Sequence, residues 1–523
     1  MNKKVRTRFA PSPTGYLHIG GLRTALYAYL YAKKHNGDFL LRIEDTDQAR
    51  LVEDSLQNII DTLNWAGLEF DEGPGKEGPH GPYIQSERLG LYQTAVQGLI
   101  EQGNAYRCFC TKERLDQMRE EQMLMKKAPM YDRHCRYLTP VEIQEKLKSK
   151  ASFVVRQAIP LNRQLKFDDK IRGKVTFDTN TLDDHVLLKT DGFPTYHLAV
   201  VVDDHDMQIT DVIRGEEWLP STPKHLLLYE AFNWEPTEFA HLPLLLNKDR
   251  SKLSKRQNDV STQSYIDKGY LKEALINFIA LLGWNTSDNQ EIYSFEELID
   301  KFSLERVQKS GAIFDLDKLN WFNWQWKRNL YWNKLRAKAK ELDSTCQIQE
   351  TNKGPVFNLT KNSPKFTNFR GGLLLTEVEK NLDQKYKTDQ EFLNKALITL
   401  EEKILKEPEN INELIKFYFA KNLDYNKTLF LNEKMGVNAE VAKQAIAICI
   451  KDLNESDFES EKALFDKFIQ VIQKLNLKNG QVLWPVRIAL TNEDFSPGVF
   501  EVANVLGYTK TIDRLKWALS ELA

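Results

Sequence analysis

Two short stretches of the chain hold the residue types that phosphate chemistry needs. Residues 8–20 read RFAPSPTGYLHIG: a strand-like start, a turn of proline, serine, threonine and glycine, and a histidine where a helix would begin. A helix N-terminus offers unpaired backbone N–H groups and the positive end of the helix dipole to an anion. His18 can donate to a phosphate oxygen there, and Gly20 and Gly21 let a nucleotide approach the backbone closely. Ser12 and Thr14 are also ordinary capping residues. The second stretch, Lys252-Leu253-Ser254-Lys255-Arg256, places three cations in five residues within the polar, glycine-free segment 247–262. Alone, it is either a solvated surface or a phosphate patch. Together the two stretches match a triphosphate grip, in which a helix terminus fixes one end and a lysine follows the charge that develops as pyrophosphate leaves.

Cys108-Phe109-Cys110 and Cys135, with Tyr131, His134 and Tyr137 nearby, form a third constellation. Zinc asks for four N, S or O ligands in a tetrahedron, while three reduced cysteines also pack as small apolar residues. Other patterns carry less. Residues 73–78 (GPGKEG) fit G-x-G-x-x-G on paper, but the prolines and the missing preceding strand make them a loop. Asp203-Asp204-His205-Asp206 follows an apolar stretch that reads as a strand, so these acids are expected to shape a crevice or cap a turn rather than bind metal. Residues 319–332 (LNWFNWQWKRNLYW) mix aromatic and basic side chains as base-stacking surfaces do, and core packing is the favoured alternative.

These groups need a scaffold. Residues 5–10 read as a strand, 18–34 as a helix ending near Gly37, 38–44 as a second strand and 53–65 as a second helix. That alternation argues for parallel βαβ units. A helix-rich, charged region then runs to about 150, with strands at 152–157 and 174–177. The α/β pattern returns at 196–203, 208–214 and the helix 223–232. Beyond about 261 the pattern is almost wholly helical, as at 295–301, 391–405 and 460–475, with 352–368 reading as a loop. A nucleotide fold split by an α+β insertion explains this order.

The whole chain has 523 residues and a net charge of −2. No apolar run approaches the ~18 residues that span a bilayer, and the apolar stretches 275–283 and 445–450 read as buried core. Five cysteines, an odd count, do not make a disulfide framework, and residues 1–6 carry no apolar leader. A reducing, cytoplasmic compartment is the expectation.

The first two stretches resemble the "HIGH" and "KMSKS" signatures of class I aminoacyl-tRNA synthetases. The surrounding words resemble the bacterial-type glutamyl enzymes of that class: 9–15 (FAPSPTG), 41–47 (LRIEDTD), 80–87 (HGPYIQSE), 191–196 (DGFPTY), 211–218 (DVIRGEEW) and 221–232 (STPKHLLLYEAF). Gly21 stands for the last His of HIGH, and Leu253 and Arg256 for the Met and final Ser of KMSKS, departures usual in this subfamily. The resemblance implies an α/β Rossmann-like catalytic domain (1–85 and 198–250) split by an α+β insertion that binds the acceptor end (86–197). All-helical stem-contact (251–330) and anticodon-binding (331–523) domains would follow. It implies ATP-dependent attachment of L-glutamate to tRNA(Glu) through a glutamyl-adenylate. His18, Lys252 and Lys255 would be catalytic, with Thr14, Gly20, Gly21 and Ser254 also on ATP. Arg8 and Arg214 would hold the side-chain carboxylate and Glu44 the ammonium, while Tyr196 lines the pocket and Ser12 and Glu217 add secondary contacts. An arginine at 214 favours glutamate over glutamine, since glutamine-specific relatives lack one there. Mg²⁺ would accompany ATP. The cysteines Cys108, Cys110 and Cys135 resemble the zinc knob of some relatives, while other members carry no zinc there; Tyr137 stands where close relatives supply a histidine ligand, and a Tyr or His134 could complete the shell. A monomer without a membrane partner is implied.

Overall fold

The computed structural model of the chain describes residues 3–253, 261–288, 290–351, 354–360 and 363–522. It divides into two compact units, Met1–Trp326 and Lys327–Ala523. In the first, β1 (Arg6–Phe9), α1 (Ile19–Lys34), β2 (Asp38–Leu41) and α2 (Ser55–Ala66) appear in the order the sequence suggests. Next come α3 (Leu89–Glu101), β3 (Ala105–Cys108), α4 (Lys112–Leu124), α5 (Pro140–Lys148), β4 (Val154–Gln157), β5 (Gln164–Asp169), β6 (Gly173–Asp178) and β7 (Val186–Leu188). The unit continues with α6 (Tyr196–Asp206), β8 (Asp211–Gly215), α7 (Thr222–Ala231) and β9 (Glu238–Leu242).

One six-stranded sheet, ordered β2-β1-β8-β9-β5-β6, carries the site. Its strands run parallel except for the β5–β6 hairpin, and the ladder sets Arg8 beside Leu40 and Arg214 beside His241. A parallel sheet is covered on both faces, and β1 shows how. Thr7 donates from Oγ1 to Ala28 O of α1 on one side (2.9 Å). On the other, Arg6 Nε reaches Met207 O (3.1 Å) and Arg8 reaches Asp204 in α6. Strand residues two apart share a face, so both arginines of β1 point at α6. A separate three-stranded sheet, β3-β4-β7, is antiparallel.

Three sequence expectations fail locally. Residues 196–203, read as a strand, are the first two turns of α6, and Leu198–Val202 are all buried. A short, β-branched apolar run has no periodicity that separates a buried strand from a buried helix. Strands β5 and β6 lie in the stretch assigned to the insertion, yet they extend the main sheet. The segment expected to be a loop at 352–368 contains a strand, Gly354–Asn358, paired antiparallel with Gln347–Thr351, and the start of the helix Ser363–Val378. That hairpin is mostly exposed, so it lacks the hydrophobic alternation that betrays a strand. The distal half is therefore helical but for one hairpin among its described residues. Its helices Ala439–Asp452, Asn479–Thr491 and Val499–Leu522 bury Ala445, Ile446 and Leu515, as amphipathic spacing predicts. Residues 275–280 are buried core as expected.

Candidate active site

The turn after β1 is tied down on the side of α2. Pro13 O accepts from Ser55 Oγ (2.7 Å) and Val52 N (3.1 Å), and Asn58 Oδ1 accepts from Leu17 N (3.0 Å). Gly15 has φ = 148°, a conformation that a side chain would resist. His18 then caps α1: its Nδ1 accepts from Gly21 N at 3.0 Å. An acceptor Nδ1 leaves Nε2 as the nitrogen bearing the proton, the donor that a phosphate oxygen needs. A Cβ on residue 20 would lie 3.1 Å from the His18 ring, and one on residue 21 would lie 2.7 Å from Leu17. The two glycines thus seat the histidine, a reason the sequence alone does not reveal.

Beneath this turn opens a cavity of about 840 Å³. Arg8, Ser12, Thr14, His18, Gly20, Gly21, Glu44, Tyr196, Arg214, Glu217 and Lys252 all line it, so residues from positions 8 to 252 converge. Ser254 and Lys255 lie outside the described residues. Their described neighbours reach the site from both directions: Leu253 lines the cavity, and Ser261 forms a bridge with His18 while Thr262 N donates to Leu17 O (3.0 Å).

The cavity wall holds a buried charge network. Arg8 gives Nε and Nη2 to the two oxygens of Asp204 (3.0 and 3.3 Å), a bidentate pair. Arg42, fully buried, reaches Asp204 (2.7 Å) and Glu44 (3.1 Å), and its Nε lies 3.7 Å from Asp203. Asp203 also accepts from Arg88 Nε (2.8 Å), Gln85 (2.8 Å) and Tyr92. The Asp203 and Asp204 carboxylates are thus taken up by arginines under β1 and β2, in the wall of the cavity. Burial alone would raise the Asp204 carboxyl, but Arg8 and Arg42 hold it below the usual range. For Glu44 burial wins over Arg42 and Arg8, and its pKa is raised.

Arg214 is treated differently. It is 5% exposed, and its hydrogen bonds go to neutral acceptors: His241 Nε2 (3.0 Å), Tyr196 Oη (3.0 Å), Thr222 Oγ1 (2.9 Å), His225 Nδ1 (3.3 Å) and Trp218 O (3.4 Å). The surface ion pair that neighbouring glutamates could have made does not form. Glu216 binds Arg172 at 2.5 Å, and Glu217 folds over Gly215, where a Cβ would meet its carboxylate. Burial, with Arg214 adding to it, pushes the His225 pKa well down, so that imidazole is neutral. A buried guanidinium facing a cavity without a carboxylate partner among the described residues can receive an anion.

The cysteines also converge. Cys108, Cys110 and Cys135 place their sulfurs within 4.8 Å of one another, with Cys110 and Cys135 3.5 Å apart. A tetrahedral zinc with Zn–S near 2.3 Å sets sulfurs roughly 3.8 Å apart, so the trio fits the ion. Of the fourth ligands that the sequence left open, Tyr137 is 72% exposed, whereas the Tyr131 hydroxyl sits 3.3 Å from Cys108 Sγ and 3.4 Å from Cys110 Sγ. The fourth position therefore faces Tyr131, not Tyr137. Hydrogen bonding from Cys135, reinforced by Tyr131, favours the Cys108 thiolate and lowers its pKa to about 4. All five cysteines are unbridged.

Sequence reasoning missed Arg42, Arg88, Asp169, Thr222, His225 and His241. The available signal was charge inside apolar strand words, such as Arg42 in LLRIE, because buried charges demand partners.

Comparison with known proteins follows the geometry. Residues 4–321 match the family described as tRNA synthetases class I (E and Q), catalytic domain, and residues 374–519 match an anticodon binding domain. A glutamate–tRNA ligase of Clostridium tetani is 42% identical over 520 residues, covering 99% of this chain and 98% of its own length. One from Chlorobium luteolum is 43% identical, covering 99% and 97%. Among solved structures, a glutamate tRNA ligase from Elizabethkingia meningosepticum in complex with its amino acid superposes with a TM-score of 0.75 at 36% identity, covering all of both chains. The glutamate-tRNA synthetase of Elizabethkingia anophelis gives 0.75 at 35%, covering 99% and 100%.

Proposed function

Because the chain belongs to the class I tRNA synthetases of the E and Q type, we propose that it joins L-glutamate to tRNA(Glu) at the expense of ATP, with both steps in the cavity under α1. The observation that carries the choice of amino acid is Arg214, a buried guanidinium whose partners in the chain are all uncharged. The side-chain carboxylate of glutamate supplies the missing charge; a neutral amide would leave the cation uncompensated. Arg8 is the second cation toward that carboxylate. With Nε and Nη2 committed to Asp204, it meets the substrate at Nη1. Glu44 pairs with the ammonium, Tyr196 and Trp218 wall the site, and Ser12 and Glu217 add polar contacts.

In the first step an oxygen of the α-carboxylate attacks the α-phosphorus of ATP and pyrophosphate leaves. His18 Nε2–H, the α1 terminus with Gly20 and Gly21, Thr14 and Lys252 hold the phosphates, and Lys255 with Ser254 follows the departing charge. Mg²⁺ travelling with the triphosphate neutralises part of that charge. In the second step a hydroxyl of the terminal adenosine attacks the activated carbonyl and AMP leaves. In this reading β5 and β6 join the catalytic part (1–85 and 198–250), the rest of 86–197 meets the acceptor end, and stem (251–330) and anticodon (331–523) parts follow. The anticodon-domain match at 374–519 supports its last part. Cys108, Cys110 and Cys135 would hold a structural zinc against Tyr131. The protein acts as a cytoplasmic monomer; no helix among its described residues is long and apolar enough to cross a membrane.

Charging of tRNA with labelled glutamate by the purified protein tests this. Glutamyl-tRNA should accumulate with one AMP and one pyrophosphate released per glutamate. ATP consumption that ignores glutamate, or charging with another amino acid, would refute the reading.

A further inference from the structure

Asp169 and His241 take no part in the steps above, yet they complete the set of hydrogen bonds that ends on Arg214. The three residues come from neighbouring strands. The ladder pairs Arg214 of β8 with His241 of β9, and Asp169 of β5 with Phe239, two residues before His241. Residues two apart on a strand share a face, so one face of the sheet carries all three side chains. The Arg214 guanidinium accordingly lies 5.4 Å over the Phe239 ring.

The geometry within this line is fully specified. Asp169 Oδ1 accepts backbone N–H groups of Ile171 (2.9 Å), Arg172 (2.8 Å) and His241 (3.3 Å), while Oδ2 takes His241 Nδ1 at 2.6 Å. A carboxylate against Nδ1 fixes the proton there, so Nε2 presents a lone pair. That lone pair receives Arg214 Nε (3.0 Å), with Thr222 Oγ1 3.2 Å away. All three members are at most 5% exposed. Were the proton on Nε2, two donors would face each other in a closed site, and the guanidinium would have to turn. Burial keeps the His241 pKa low even though Asp169 opposes it, so the ring stays neutral. Arg172, whose Nε donates to His241 O (3.2 Å), packs on the same imidazole's backbone.

We propose that Asp169 is a positioning residue for amino acid specificity: through the Nδ1–H tautomer of His241 it holds the Arg214 guanidinium in the rotation that turns Nη1 toward Tyr196 and the cavity. This rests on the assignment of Arg214 to the substrate's side-chain carboxylate. It explains why β5 and β6, which interrupt the nucleotide fold in sequence, return to its sheet.

The test is tRNA-dependent ATP–pyrophosphate exchange with the full-length protein, reading KM for glutamate, KM for ATP and the preference for glutamate over glutamine. Asp169→Asn offers an amide N–H that drives the His241 proton to Nε2. Its glutamate KM should rise about tenfold and its preference should fall, with the ATP KM unchanged. Adding His241→Gln, whose amide oxygen accepts in any protonation state, should recover most of the loss. An Asp169→Asn protein with wild-type glutamate KM and preference overturns the inference. So does an ATP KM that rises in step without recovery by His241→Gln. Arg214→Gln, run in parallel, separates the layers: if it too is wild type, the carboxylate assignment itself is wrong; if it alone is impaired, only the Asp169 inference falls. Should Asp169→Asn not fold, His241→Gln must raise the glutamate KM less than the shorter His241→Asn, and equal effects overturn the inference.

Discussion

Glu44 and Asp204 sit within one hydrogen bond of the same arginine, Arg42, yet are pushed in opposite directions. Asp204 has two guanidiniums and stays ionised well into acid. Burial is the largest influence on both carboxyls, but at Glu44 Arg42 and Arg8 do not outweigh it, and its pKa rises. In the proposed reading the ionised form of Glu44 meets the substrate ammonium. Glutamate kcat/KM should therefore fall as pH drops through a value above the ordinary carboxylate range, and Glu44→Gln should lower activity while abolishing that acid limb. An acid limb that survives the substitution would remove Glu44 from the ammonium site. The stability sign is opposite: a raised carboxyl pKa favours the fold below the unfolded value and disfavours it as pH rises past the folded one. Keeping Glu44 buried therefore costs the fold stability at neutral pH. For Lys255, replacement by Ala should slow adenylate formation by about 10²-fold or more without lowering thermal stability. Unchanged exchange would refute its role.

At the scale of elements, α6 decides how much of the site could be read in advance. The turn at 11–15 and α1 were legible because glycine and proline act locally, whereas the words around the site were legible only through their resemblance to the family. The helical state of 196–206 was not, because only the sheet beneath tells a buried helix from a buried strand. Asp204, the partner that Arg8 and Arg42 share, lies more than 160 residues from either, and no local pattern announces it. Arg42→Met should thus cost about 3–5 kcal/mol in urea unfolding, since it leaves Glu44 buried without its hydrogen-bonded cation and takes one of two guanidiniums from Asp204. A loss below 1 kcal/mol would show that the network contributes little. The β3-β4-β7 element makes a metal-dependent prediction: chelation should raise amide exchange across 105–137 and leave β1, β8 and β9 protected. Identical exchange with and without chelator would show that the three sulfurs pack without metal.

In the molecule as a whole, four imidazoles on the side of Arg214, His185, His197, His225 and His241, are kept neutral chiefly by burial, His197 with a pKa of about 3. The unfolded chain takes up protons on them below about pH 6.5 and the folded chain does not, so stability must fall as pH falls through that window. The slope is up to about 1.4 kcal/mol per pH unit for each imidazole. Urea midpoints between pH 7 and 5.5, where most carboxylates stay ionised, should drop accordingly, and a flat profile would contradict the burial. The central claim is that Arg214 reads the charge of the amino acid, and competition between glutamate and glutamine in tRNA charging tests it directly. Arg214→Gln should reduce kcat/KM for glutamate by roughly 30-fold to several thousand-fold, as expected for a severed buried charge pair, and erode the preference over glutamine. A variant that still charges glutamate at the wild-type rate and refuses glutamine as before would contradict the account.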